Sequence, residues 1–278
     1  MQSNPIDQAK LMNDYFSRIV FQNQEVGLEV LRILNVVNDV ESLIQYQPQK
    51  VMRNPKGKRS IRVDVFVLTN EVVADVEIEN NKYRAHPNRT RFNAASMDVY
   101  VSEVYMNLKE LPKNYVIFIC KDDVYKKGYP IYTIRRVVQE TGEIYGDDST
   151  IILVNGQYKG DDDIGRLVND FNCIKASEIN NPIIRKEVSY YKDTIEGRKV
   201  MEYSISYFRK EGRKEGRKEG RKEGVDYATV QNIYQLVTKH SWTIDDALNT
   251  FNVKKNKREV YRRKVEELQK VSVSTSAR

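Results

Sequence analysis

The chain has 278 residues, 40% hydrophobic and 31% charged, with a formal net charge of +7; this is globular composition at a length that holds one substantial domain with an appendage, or two small ones. No apolar run approaches a membrane span, and the opening Met1-Gln2-Ser3-Asn4-Pro5 lacks the basic-then-apolar order of a secretory leader, so a soluble, cytoplasmic protein without membrane contact is expected. Two widely spaced cysteines, Cys120 and Cys173, and two histidines without ligand-spaced neighbours, His86 and His240, argue against a disulfide framework, a zinc site and histidine-based catalysis.

Taken in order, residues 7–44 show apolar residues at three- and four-residue spacing (Leu11, Tyr15, Ile19, then Val26, Leu31, Leu34), which predicts helix up to a break at Asn35–Asp39. A second helical piece is predicted from Val40 to Tyr46, followed by a basic loop holding Lys50, Arg53, Lys56, Lys58 and Arg59 among Pro48, Pro55 and Gly57. Val63–Leu68 and Val73–Glu79 then alternate with the period of two of β-strands, and Thr69-Asn70-Glu71 supplies turn chemistry, so a hairpin is expected. Helical spacing resumes from Arg89 to Leu108. Tyr115–Cys120 is apolar at every position, as suits a central strand covered on both faces.

Further strands are expected at Ile131–Thr133 and Ile151–Val154, and helices at Ile164–Phe171 and Ile184–Phe208, where Tyr190, Tyr191, Tyr203 and Tyr207 would pack. Arg209-Lys210-Glu211-Gly212 is then restated three times through Gly224. Glycine at every fourth position lowers helix propensity by about 1 kcal/mol each relative to alanine, so the repeat reads as a charged semi-rigid linker or a fraying end of the preceding helix. Three short helices, Tyr227–Lys239, Thr243–Phe251 and Lys257–Lys270, follow, with Thr243 as the N-cap of the second. Expected boundaries are 1–208 for an α/β domain with a mixed central sheet flanked by helices, 209–224 for the linker, and 225–278 for a small basic helical module. Residues 209–278 carry 18 Lys and Arg against 10 Asp and Glu, so the excess positive charge belongs to this appendage.

The hairpin carries the chemistry. Asp75, Glu77 and Glu79 share one strand face, and Asp64 stands on the facing strand thirteen positions before Glu77. Carboxylates gathered on one face repel unless a cation sits among them. In metal-dependent phosphodiester hydrolysis, two carboxylates hold Mg²⁺ or Mn²⁺, which lowers the pKa of a bound water and neutralises the phosphate. Asp64 and Glu77 suit the metal, joined by the Ile78 carbonyl, and Glu79 falls where a third catalytic group orients the water. By pattern alone, a strand with a solvated acidic face reads the same way.

The order of segments resembles the PD-(D/E)XK nuclease family transposases, the Rpn-type recombination-promoting nucleases. Their "Arg-x-x-Arg-Leu-Asp-Val" and "Ile-Glu-x-Gln" motifs look like Arg59-Ser60-Ile61-Arg62-Val63-Asp64-Val65 and Val76-Glu77-Ile78-Glu79 here. Their Arg-rich helix start resembles Arg89-Thr90-Arg91-Phe92, and their "Leu-Pro-x-x-Tyr-Val-Ile-Phe-Ile" strand resembles Leu111–Ile119. The likeness runs over residues 8–224. It implies a restriction-endonuclease-like core and a Mg²⁺-dependent DNA endonuclease acting in recombination or transposition. Glu79 departs from the family's glutamine, which admits an alternative: a catalytically inactive nucleic-acid-binding protein that retains the fold.

DNA contacts are expected from Lys58 and Arg59 in the basic loop and from Arg89 and Arg91 at the helix start; the basic C-terminal helices read either as a helix-turn-helix or as a small capping module, with nonspecific electrostatic attraction expected ahead of base recognition. Glu29 on the first helix and Lys82 after the hairpin are further candidates for the site, each balanced by an ordinary solvated role. Double-strand cutting would call for a homodimer, for which the chain carries no interface signature.

Overall fold

The computed structural model describes residues 4–37, 42–53, 60–81, 85–102 and 107–276. The chain divides into two compact units, Met1–Ser206 and Tyr207–Arg278. The first is an α/β unit. Two short helices, α1 (Asp14–Val20) and α2 (Gln24–Ile33), precede the strands β1 (Leu43–Met52), β2 (Ile61–Thr69) and β3 (Val72–Glu79). Then come α3 (Pro87–Val101), β4 (Lys113–Cys120), β5 (Ile131–Ile134), β6 (Ser149–Asn155), α4 (Asp163–Asn172) and α5 (Pro182–Asp193). The strands form one mixed sheet in the order β1-β2-β3-β4-β6-β5, antiparallel at β1/β2, β2/β3 and β5/β6 and parallel at β3/β4 and β4/β6.

Local chemistry sets the hairpin. Thr69 turns its Oγ1 to accept from the N–H groups of Glu71 (3.2 Å) and Val72 (2.9 Å), which closes the chain over Asn70 and Glu71. Pairing Phe66 with Asp75 puts those side chains on one face, and pairing Tyr46 with Val67 puts the next set on the other. Helix α3 covers the first face, where Ala94 and Met97 pack with Phe66, Val73, Val116 and Phe118. The second face takes the α1–α2 corner, where the Tyr46 hydroxyl donates to the Phe21 carbonyl at 2.8 Å. There Gly27 leaves room for the ring, since a Cβ on it would lie 2.3 Å from that hydroxyl oxygen. Strand β4 runs between β3 and β6, and its apolar stretch Val116–Cys120 is buried as expected.

The strand β1 corrects the expected helix from Val40 to Tyr46 and the expected loop around Lys50. Residues 38–41 lie outside the described part, and 43–52 pair with β2. Four apolar residues in seven carry no period long enough to separate helix from strand. A sheet edge also tolerates Pro48, which has no N–H to donate. Helix α3 ends at Val101; Val104 and Met106, predicted to prolong it, lie outside the described residues, and a 3-10 turn follows at Leu108–Glu110.

The expected helix from Ile184 to Phe208 is broken at Thr194, whose hydroxyl accepts from the Gly197 N–H at 3.0 Å and opens a new helix. This helix, α6 (Ile195–His240), continues through the whole charged repeat. Tyr191 is buried as expected, but Tyr190, Tyr203 and Tyr207 are exposed. The second unit packs the end of α6 with α7 (Ile244–Thr250) and α8 (Lys255–Ser276) around Ile233, Ala247, Leu248 and Val265. Thr243 caps α7 as predicted, accepting from the Asp246 N–H at 3.1 Å. Among the described residues no helix is long and apolar enough to cross a membrane.

Candidate functional site

The β2–β3 ladder runs from Leu68↔Val73 to Val65↔Val76 and stops there. Asp64 is the next residue, and its side chain takes over where the backbone pairing ends: Oδ2 accepts from the Ile78 N–H at 3.1 Å. Its Oδ1 accepts from Gln49 Nε2 at 3.0 Å. Gln49 sits in β1 with φ of +51°, a conformation that costs a non-glycine residue about 1 kcal/mol or more and is retained where its surroundings enforce it.

The acidic face of β3 is buried rather than solvated, with Asp75, Glu77 and Glu79 exposed by 0%, 3% and 5%. That excludes the solvated-strand reading of the motif. Asp75 Oδ2 accepts from Asn93 Nδ2 at 2.8 Å, while its Oδ1 is buried with no hydrogen-bond partner. Glu77 Oε2 accepts from Arg89 Nη2 at 2.8 Å, and Oε1 takes a long contact from Asn93 Nδ2 at 3.4 Å. Glu79 Oε2 accepts from Arg89 Nη1 at 2.8 Å, and Oε1 from the Asn81 N–H at 2.9 Å. The Arg89 guanidinium also lies over the Phe118 ring, 5.0 Å from its centroid.

Arg89 and Asn93 reach this face because α3 begins beside it. Pro87 stands in the first helical turn, and His86 Nδ1 caps the helix by accepting from the Asn88 N–H at 3.1 Å. One turn separates the two side chains, so both point at β3.

Burial dominates the electrostatics. It pushes the Asp75 carboxyl up to about 8, aided by the charge of Asp64 and opposed by Asn93 and Arg89. Glu77 is raised well above the usual carboxylate range by burial and then by Asp75 and Asp64, against the pull of Arg89. Asp64 is also raised by burial, partly offset by the Ile78 N–H and by Gln49. One guanidinium thus faces a group of carboxyls whose demand for positive charge it does not fully meet.

The cluster adjoins an open groove of about 850 Å³, lined among others by Ser60, Arg62, His86, Arg89, Arg91 and Phe92. Arg91 is exposed on its wall. Asp64, Glu77 and Glu79 thus lie in one region of the β2–β3 hairpin, and Arg91 lines the adjoining groove. Arg89 is there too, paired to Glu77 and Glu79. Lys58, Arg59 and Lys82 lie outside the described residues. Glu29 belongs elsewhere: its Oε1 accepts from Asn181 Nδ2 at 2.7 Å and it pairs with Arg32.

Asp75, Asn93, Gln49 and Arg62 complete the surroundings without having been singled out. Asp75 was legible, since it shares the period-two face of Glu77. Asn93 followed from Arg89 by one helical turn. Nothing local marks Gln49. Cys120 ends β4 with its thiol pushed up to about 12 by burial, an inert position for a nucleophile.

Among the described residues no three or more His, Cys, Asp or Glu side chains are already grouped as a metal site. The donor chemistry nonetheless suits a hard divalent cation, because the candidate ligands are the carboxylates of Asp64 and Glu77 and the Ile78 carbonyl, all oxygen donors, and one buried oxygen of Asp75 lacks any partner. Compared with protein-family models, with curated proteins and with solved structures, the chain finds no match in any of the three.

Proposed function

We propose that this protein is a metal-dependent DNA endonuclease with a restriction-endonuclease-like core, acting in recombination or transposition. The observation that carries the proposal is the buried carboxylates Asp75, Glu77 and Glu79 with half-buried Asp64 across from them, and the unpartnered Asp75 oxygen, beside an arginine-lined groove. Burying several carboxylates is costly unless a cation compensates them. The retention of four in one small region therefore speaks for a task.

Asp64 and Glu77 would hold Mg²⁺ or Mn²⁺, which when bound supplies a water of lowered pKa and neutralises charge on the scissile phosphate. Asp64 is pre-aimed by Gln49 and the Ile78 N–H. Arg62 and Arg91 on the groove wall suit the DNA backbone, which is held by charge without reading sequence. The exposed lysines Lys254, Lys255 and Lys264 of the second unit add to the same salt-sensitive attraction. Cutting of both strands would use a homodimer.

Purified protein is expected to nick supercoiled plasmid only with Mg²⁺ or Mn²⁺. Asp64→Ala and Glu77→Ala should each lower the rate by about a hundredfold or more, since each removes several kcal/mol of charge stabilisation. Cutting by both variants at the parental rate would refute the site. A second reading, a nucleic-acid-binding protein without activity, is favoured by one specific observation: Arg89 already pairs with both Glu77 and Glu79. Salt-sensitive DNA binding with no cleavage under any divalent metal would decide for it.

A further inference from the structure

Glu77 has both oxygens engaged by protein donors, Oε2 by Arg89 and Oε1 by Asn93. A divalent cation and a guanidinium drawn to the same carboxylate repel each other, so a cation at Glu77 loosens the hold of Arg89 there, and Arg89 weakens the hold on the cation. Glu79 is placed differently. Its Oε1 is fixed by the Asn81 N–H, and its Oε2 holds the other Arg89 nitrogen, Nη1. Release of Nη2 from Glu77 would thus leave Arg89 tethered at Glu79, one third exposed, on the wall of the groove. From there its planar fork suits a phosphate oxygen.

We propose, resting on the endonuclease reading, that Arg89 is a built-in counter-cation exchanged at Glu77 for the divalent ion, and that Glu79 is a positioning residue that keeps the displaced Arg89 in reach of a phosphodiester in the groove. The exchange gives the departure of Glu79 from glutamine a role, because a carboxylate holds a guanidinium more strongly than an amide does. It also couples two ligands. Metal frees Arg89 for phosphate, phosphate holds Arg89 away from Glu77, and each ligand tightens the other by the same factor.

The test is Mn²⁺ binding to the full chain without DNA, followed by titration calorimetry. Arg89→Ala removes the competitor and should bind Mn²⁺ about tenfold tighter than the parent, within the usual range of site-to-site coupling. If circular dichroism shows that Arg89→Ala does not fold, Arg89→Lys replaces it. A lysine cannot bridge Glu77 and Glu79 with a rigid fork, so tighter Mn²⁺ binding is again expected.

Unchanged Mn²⁺ affinity in the folded arginine variant, with Asp64→Asn abolishing binding, would overturn the exchange and leave the metal site standing. No Mn²⁺ binding by the parent or any variant would overturn the endonuclease reading and the exchange with it. The tether is read separately, by fluorescence anisotropy of a cleavage-resistant phosphorothioate duplex. Mn²⁺ should tighten duplex binding by the parent about tenfold. Glu79→Gln should lose that gain while still binding Mn²⁺, and Glu79→Asp should recover part of it. Full Mn²⁺-dependent tightening in Glu79→Gln would refute the positioning role.

Discussion

Two stretches of this protein are dense in charge and hold it in opposite ways. On β2 and β3, four carboxylates lie within sixteen residues, and the three on β3 are almost wholly buried. Between Arg209 and Gly224, eight basic and four acidic side chains ride on one continuous helix, and every described position there is exposed. In water a charge costs little, and exposed pairs contribute little, so the repeat can place lysine, arginine and glutamate with almost no structural consequence. Under a helix and beside a packed sheet, the same carboxylates lose their solvent. Asp75 and Glu77 then shift upward, and Arg89, Asn93, Gln49 and the Ile78 N–H are arranged around them. Charge density by itself therefore says little about function. Desolvated charge with incomplete compensation says much more.

The contrast can be broken most forcefully beneath the acidic face. Phe118 is fully buried and carries Arg89 on its ring. Phe118→Ala should cost about 3–5 kcal/mol of stability, as large-to-small core changes do, measured by denaturant unfolding. A loss no greater than that of an exposed substitution would mean that the face is not packed as described.

A smaller, pH-dependent effect follows from Asp75, whose carboxyl is raised from the usual 3.8 to about 8. Between these values the folded state keeps a proton that the unfolded chain has released, so unfolding releases it. Stability then falls as pH rises through that window and is least burdened below it. Asp64 and Glu77 are shifted in the same direction. In chelator-treated buffer the melting temperature should fall from pH 5 to pH 8, and Asp75→Asn should flatten the slope. A parental melting temperature that rises across this range would show that burial does not dominate the cluster.

The smallest effect is expected in the repeat. A Cβ at Gly212, Gly216, Gly220 or Gly224 would meet nothing within 4 Å. Each Gly→Ala change there should favour helix by about 1 kcal/mol, seen as a rise in far-ultraviolet helicity of the quadruple variant. Unchanged helicity would argue that something other than local propensity already fixes the helix. Together the three measurements separate charge that the fold must compensate from charge that it merely carries.

Much of the fold was legible because its signals are local. The hairpin rests on alternation and on Thr69, the start of α7 on Thr243, and the central placement of β4 on six consecutive apolar residues. Strand β1 was not legible, because its identity lies in its pairing with β2 and its own polar residues and Pro48 suit an edge. The continuity of α6 through the repeat was left between two readings, because glycine weakens helix while Arg, Lys and Glu support it.

The same division runs through the candidate site. The sequence by itself determined that Asp75, Glu77 and Glu79 share one strand face and that Asp64 stands on the neighbouring strand of the hairpin, because the two-residue period and a short turn set both. Only the tertiary structure decided that their face is dry, that Arg89 is held between Glu77 and Glu79, and that Gln49 is bent toward Asp64. Periodicity is a property of neighbouring residues. Desolvation and ion pairing depend on which distant segment closes over them, and here that segment is α3.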